Sequence, residues 1–263
     1  MFNNIVIKLK AINSGKLRVY PGQKIHAMFL KIVNEVSESE SELLHKQDDI
    51  KGFTVSSILG LSGENGYDIE KNCYYYIKIS TFYDKLFKIF SMAAFKKKIL
   101  NQILNLEDIN FKIINVYFDK RQSKWAGVFN LEKIMEKDCL NDEVCLKFHT
   151  PTLFKTGDSF LTRPDNEKVF NSLLRKYNKY SSMKIDDELK AKFKEIEIKK
   201  DMTSIKGVRF KNARFRGFVG RVVYHIPEDE ELRQVVEVLA DFAEYGGVGY
   251  KTTMGLGLTS RVN

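Results

Sequence analysis

Twice along the chain, strand-like alternation gives way to helical spacing and back in the order β-α-β-β-α-β, and that order leaves few folds to choose from. Residues 2–12 alternate, with Ile5, Ile7 and Leu9 on one face and Lys8 and Lys10 on the other. Behind the Pro21-Gly22 break, Ile25, Phe29, Ile32, Val33 and Val36 fall at helical spacing over about four turns. The stretch from Ser37 to Glu42 is a loop or a second short helix. Phe53 to Leu61 and Cys73 to Ser80 read as a hairpin around Gly63-Glu-Asn-Gly66. Leu86, Ile89, Phe90, Ala93 and Ile99 mark another helix, and Asn110 to Phe118 another strand. This order predicts two helices on one face of an antiparallel sheet, the ferredoxin-like or RNA-recognition arrangement.

The second half repeats the order with different residues. Glu143 to Phe148 is a strand, and Pro164 to Tyr180 is a helix that turns Val169, Phe170, Leu173, Leu174 and Tyr177 inward. Phe193 to Lys199 and Gly207 to Ile226 supply strands or a long hairpin. A helix begins behind Pro227, where acids at 228–231 suit its N-terminal dipole and Leu232, Val235, Val236, Leu239 and Phe242 form its buried stripe. The expected class is α+β: tandem ferredoxin-like (RRM-like) βαββαβ domains with a C-terminal glycine-rich loop. Residues 1–120 and 143–263 would form the domains and 121–142, holding the sole tryptophan, the linker. Each half is long enough to bury its own core.

Between the last helix and the last strand, Glu244 to Thr259 carries Gly246, Gly247, Gly249, Gly255 and Gly257 around Lys251-Thr252-Thr253. Glycines let backbone amides adopt a concave, anion-binding nest, and Lys251 with two hydroxyls adds charge and donors. The plainer alternative is a glycine-rich turn feeding a final strand. A nucleotide P-loop is excluded by spacing and because this loop follows a helix rather than opening one. A dinucleotide fingerprint fails for the same reason.

Lysine and arginine total 43 against 34 acids, a net charge of +9, which favours polyanionic partners such as nucleic acid. Cys73, Cys139 and Cys145 are scattered and odd in number, so neither a disulfide framework nor a zinc site is expected. With no long apolar run and no signal-peptide pattern at the N-terminus, the expectation is a soluble, cytoplasmic protein with no membrane partner and no metal or cofactor.

Three blocks resemble the CRISPR-associated endoribonucleases that cut the repeat RNA transcript, members of the RAMP superfamily. One runs from Phe215-Arg-Gly-Phe-Val-Gly-Arg-Val-Val-Tyr through the last helix into Gly-Gly-Val-Gly-Tyr-Lys-Thr-Thr-Met-Gly-Leu-Gly. A second joins Phe148-His-Thr-Pro-Thr-Leu-Phe to Arg163-Pro-Asp and Phe170-Asn-Ser-Leu-Leu. The third is Leu43-Leu-His-Lys-Gln-Asp-Asp-Ile-Lys-Gly-Phe-Thr-Val-Ser. The resemblance implies RNA binding and metal-independent cleavage of CRISPR repeat RNA. By position it implies His45 in proton transfer and Lys51 as a stabiliser of charge. Some members place a catalytic tyrosine on the first helix, whereas no tyrosine lies between Tyr20 and Tyr67 here, which leaves His26 as the candidate partner. Histidine suits the task because it exchanges protons near neutral pH.

With RNA as the implied partner, the anion-binding reading of the glycine stretch puts Gly247, Gly249, Lys251, Thr252, Thr253, Gly255 and Gly257 against RNA. Arg209, Lys211, Arg214, Arg216 and Arg221 cluster on the expected hairpin nearby, with Arg214 and Arg216 as the chosen contacts. Tyr74, Tyr75 and Tyr76 lie on a strand where RNA-recognition domains stack bases, and alternation sends at least one of them into the core. His149 and His225 sit in expected strands as structural residues. The alternative activity is a non-catalytic RNA-binding subunit of a CRISPR effector complex, and such a complex is a further candidate partner of the enzyme, as monomer or homodimer.

Overall fold

The computed structural model describes residues 1–46, 50–61, 63, 66–132 and 141–262. Cys139, residues 133–140 of the expected linker and Glu64-Asn65 of the expected turn lie outside them. The chain forms two compact units. The first comprises Met1–Val128 with Val208–Arg214 and Thr253–Gly255, and the second the remaining segments.

In the first unit the elements are β1 (Asn3–Ala11), β2 (Gly15–Leu17), α1 (Pro21–Asn34), α2 (Glu38–Lys46), β3 (Phe53–Val55), β4 (Tyr67–Ile69), β5 (Tyr74–Thr81), α3 (Asp84–Ile99), β6 (Ile103–Leu106), β7 (Ile109–Tyr117) and β8 (Gly127–Val128). The main sheet runs β3-β5-β1-β7-β6, so the first strand lies inside, flanked by β5 and β7. Its register places Ile5 opposite Ile79 and Ile7 opposite Ile77, which puts apolar residues on one face. Helices α1 and α3 cover that face: Phe29 of α1 meets Phe53 at 4.3 Å and Phe90 at 4.9 Å between ring centroids. Each such ring, fully buried, is worth roughly 1.5–3 kcal/mol of transfer free energy. Pro21 opens α1 at a position where its missing N–H has no helical acceptor to lose.

The second unit contains β9 (Glu143–Thr152), β10 (Phe154–Thr156), β11 (Ser159–Leu161), α4 (Asn166–Tyr180), a 3₁₀ segment (Asp187–Glu195), most of the hairpin β12 (Glu197–Arg209) and β13 (Arg214–His225), α5 (Glu230–Gly246), and β14 (Thr259–Val262). Its sheet order, β12-β13-β9-β14, is again second-third-first-fourth, so both sheets have the ferredoxin-like arrangement. Asp165 caps α4 by accepting from the Lys168 amide at 2.8 Å, and Asp229 caps α5 by accepting from the Leu232 amide at 2.9 Å. Arg261 ties β14 to α5 through Glu237 at 2.6 Å and Asp241 at 3.2 Å.

Local differences from the sequence expectation have physical reasons. Phe193 belongs to the 3₁₀ segment, where Leu189 and Phe193 are both buried, rather than to a strand. The strand at Phe53 stops at Val55, and Ser56 makes an isolated parallel bridge to Gly255. The pair β2 and β4 and the short β6 were not expected, because three or four residues give too little alternation to read. Cys73 and Cys145 are free thiols. Among the described residues no helix is long and apolar enough to cross a membrane.

Candidate active site

Within the first unit, α1 and α2 lie side by side and leave a groove of about 790 Å³. His26 lines it from α1 and His45 from the last turn of α2, so the two histidines, nineteen positions apart in sequence, share one surface. The Ser37–Glu42 stretch contributes to α2, the second of the two readings open in the sequence. Helix α2 is short, and tertiary contacts anchor it: buried Glu40 accepts from the Tyr83 hydroxyl and pairs with Lys85 at 2.6 Å.

His26 is half-buried, stacked on Phe53 at 5.6 Å, and its Nδ1 lies 2.8 Å from the carbonyl oxygen of Thr253. A carbonyl only accepts, so Nδ1 carries the hydrogen and donates it. In the neutral ring this assigns the lone pair to Nε2 and fixes the orientation of the imidazole. His45 is exposed, while Lys51 donates to the Leu44 carbonyl at the end of the same helix. Lys51 is therefore tied to the turn that carries His45 rather than lining the groove. Lys31 and Lys46 do line it, and neither stood out in the sequence. The signal was present in the spacing of Ala27, Lys31 and Asn34 along one side of α1, but only the packing of α2 gave it meaning. Lys46 bonds Glu42 at 3.0 Å on the surface, a pair worth under about 1 kcal/mol that a phosphate can displace.

The Thr253 carbonyl is held by its neighbours. The Tyr20 hydroxyl donates to the Gly255 carbonyl at 2.7 Å, and Gly22 at the start of α1 lets the Met254 carbonyl come to 2.3 Å from where a Cβ would stand. Residues Thr253–Gly255 are thus a prop against α1, one turn before His26. Tyr20 also stacks on Phe210 at 5.6 Å, and its amide donates to Arg209 at 2.7 Å, fixing the hairpin tip to the same helix start.

The rest of the glycine-rich stretch does not form the open nest expected of it. The amides of Gly247, Val248, Tyr250 and Gly257 donate to Ala243, Gly257, Leu153 and Pro151 carbonyls, Gly249 donates to Ser172 Oγ, and Leu258 to Thr150 Oγ1. Gly247, Thr252, Gly255 and Gly257 are buried. A Cβ at Gly257 would stand 1.8 Å from the Val248 oxygen, so this glycine serves close approach of two backbones. Lys176, fully buried, donates to the carbonyls of Gly246 at 3.1 Å and Gly247 at 2.9 Å. Burial, with the Arg175 charge beside it, pulls its ammonium down to about 7.

Lys251 differs from the glycines around it. It is half-exposed, in the left-handed region at φ 54°, with its ammonium 4.9 Å from the Tyr250 ring centre and 5.7 Å from that of Phe215. Arg214 and Arg216 are exposed on β13 on either side of buried Phe215, and Thr253 is half-buried. Histidines 149 and 225 lie on β9 and β13, with His149 Nε2 2.8 Å from Ser260 Oγ. Among the described residues no group of three or more His, Cys, Asp or Glu side chains is placed to hold a metal ion.

Residues 1–136 match the family model for the CRISPR Cas6 N-terminal domain, and residues 146–259 match that for CRISPR-associated endoribonuclease Cas6. A CRISPR-associated endoribonuclease Cas6 of Streptococcus thermophilus is 22% identical over 168 residues, 61% of this chain and 68% of that protein. One from Mycobacterium tuberculosis is 28% identical over 114 residues, 43% of this chain and 36% of its own. Among solved structures, a Thermus thermophilus Cas6 product complex superposes with a TM-score of 0.83 at 23% identity, covering 100% of both chains. A Cas6 substrate mimic complex gives a TM-score of 0.74 at 21% identity, covering 99% of each. At these identities the structural likeness speaks to the fold, which is the tandem ferredoxin-like one.

Proposed function

Because the chain belongs to the Cas6 family of CRISPR-associated endoribonucleases, we propose that it cuts CRISPR repeat RNA in the precursor transcript and does so with the histidines of the α1–α2 groove. The observation that carries the assignment of residues is the shared groove itself, with the Nδ1–H of His26 held on the Thr253 carbonyl. The ribose 2′-hydroxyl upstream of the scissile bond attacks phosphorus in line. His26, with its lone pair on Nε2, takes the hydroxyl proton, and His45 delivers one to the departing 5′-oxygen. The products are a 2′,3′-cyclic phosphate and a 5′-hydroxyl. Atoms and charge balance with no metal, since the nucleophile is already part of the substrate. Lys31 and Lys46, which line the groove, offset charge on the five-coordinate phosphorus, and Lys51 braces the turn that carries His45.

Exposed Arg214 and Arg216, and Lys251 held against its two rings, bind the RNA backbone, while Thr252, Thr253 and the glycines shape the segment that carries them. The enzyme works in the cytoplasm as a monomer or homodimer and passes its product to a CRISPR effector complex; the exposed free thiol of Cys73 supports a reducing compartment. A repeat RNA with a single 2′-deoxy nucleotide upstream of the cut tests the chemistry. It should bind and stay intact, with EDTA leaving cleavage of the unmodified RNA unchanged. Cleavage of the deoxy substrate, or abolition by EDTA, overturns the mechanism.

A further inference from the structure

The first sheet has a second face, and its composition changes along its length. Since β1 pairs β5 with Lys8 opposite Tyr76 and Lys10 opposite Tyr74, the side chains of Lys8, Lys10, Tyr74, Tyr76 and Lys78 share the face turned away from α1 and α3. At one end this face is closed: Lys78 is 2% exposed and lies 5.5 Å from the Trp125 ring centre. At the other end it is open, with Tyr74 51% exposed. Lys8 Nζ sits 4.2 Å from the Tyr74 ring centre and 6.0 Å from that of Tyr76, while Lys112, paired with Lys10 across β7, adds a further cation to the same edge. Tyr75, between the two, turns the other way and packs edge-on against buried Phe111.

Two tyrosines at i and i+2 on the third strand of a ferredoxin-like sheet, facing away from the helices, are the placement from which RNA-recognition domains stack bases. The cation over one face of Tyr74 leaves the other for a base, and Lys8, Lys10 and Lys112 match the charge of a phosphate backbone. A core role explains Tyr75 but not a 51%-exposed tyrosine with a lysine over its ring.

We propose that this face, at Tyr74, Tyr76 and Lys8, is a stacking site for single-stranded RNA, separate from the α1–α2 groove. It rests on the reading of the chain as an RNA-processing enzyme, extending it to unpaired nucleotides that flank the cut. The occupant is single-stranded RNA rather than a protein, because aromatic planes interleaved with lysines match bases and phosphates together.

The test uses the full chain, a short labelled oligouridine and a repeat RNA with single-stranded flanks. Tyr74→Ala and the double variant Tyr74→Ala/Tyr76→Ala should weaken oligouridine binding about tenfold or more, and Tyr74→Phe/Tyr76→Phe should stay within about twofold, because phenyl rings still stack. A 4-thiouridine oligonucleotide should crosslink to the Tyr74–Lys78 segment. Thermal melting separates a folding defect from a lost contact, and exposed Tyr74→Ala alone keeps the test valid if the double variant is unstable. Unchanged affinity in folded Tyr74→Ala, crosslinks confined elsewhere, or no oligouridine binding by wild type that still cleaves repeat RNA each overturns the stacking site alone. Wild type that neither binds nor cleaves repeat RNA removes the enzymatic reading beneath it.

Discussion

The glycine-rich stretch and the α1–α2 groove use backbone and side chain in opposite ways. In the stretch, the polar groups face inward: amides from Gly247 to Tyr250 and from Gly257 to Leu258 find protein acceptors, and even a lysine, Lys176, is buried to satisfy two carbonyls. In the groove, the chemical groups face outward, with His45 exposed and His26 half-buried. Thr253, which belongs to the same unit as the groove, accepts the His26 Nδ1–H on its carbonyl oxygen. The lesson is a division of labour: the glycines of the second unit build a close-packed support there, and in the first unit the Thr253 carbonyl orients an imidazole.

If that division is right, changes in the two regions fail in different assays. The largest effect belongs to the groove. His45→Ala should slow single-turnover cleavage about 10²–10⁴-fold while leaving unfolding free energy within about 0.5 kcal/mol, since the side chain is exposed. Loss of stability with full activity would reverse the comparison. Next is the support itself. Gly257→Ala puts a Cβ against the Val248 oxygen at a φ of +66°, and urea unfolding should report a loss on the order of 3 kcal/mol. A folded, equally stable variant would mean that the two backbones are not held together.

A third effect is one of pH. Lys176 titrates near 7 when folded and in the ordinary lysine range when unfolded. Between those values the unfolded chain binds more protons, so stability rises with pH from about 7 toward 10 as the buried charge is relieved; below 7 both states are protonated and the term is constant. Chemical denaturation of wild type and Lys176→Met across this range should show the extra upward slope only in wild type. Equal slopes would place the ammonium in a less buried setting than the structure gives it.

What was legible in the sequence follows from the range of the interactions involved. Long periodic segments announced themselves: the alternation of Ile5, Ile7 and Leu9, the stripe of α5, and the repeated strand-helix order that yields the same sheet order twice. His26 and His45 were picked out by residue type and family resemblance, but their shared groove depends on how α2 packs on α1, which no local pattern encodes. The glycine stretch was misleading for a related reason. Its amides looked available because their acceptors, Pro151 and Leu153, lie about a hundred residues earlier in the chain. Lys51 was picked out by its position in the family resemblance, and only the fold shows that its ammonium is tied to the Leu44 carbonyl.

The claim on which the rest depends is that His26, oriented by Thr253, moves the proton. Single-turnover cleavage of repeat RNA by His26→Asn is the direct measurement, because the asparagine amide can still donate to the Thr253 carbonyl while having no titratable nitrogen. The account predicts RNA affinity close to wild type and cleavage about 10²–10⁴-fold slower. A variant that binds and cuts at the wild-type rate would contradict it.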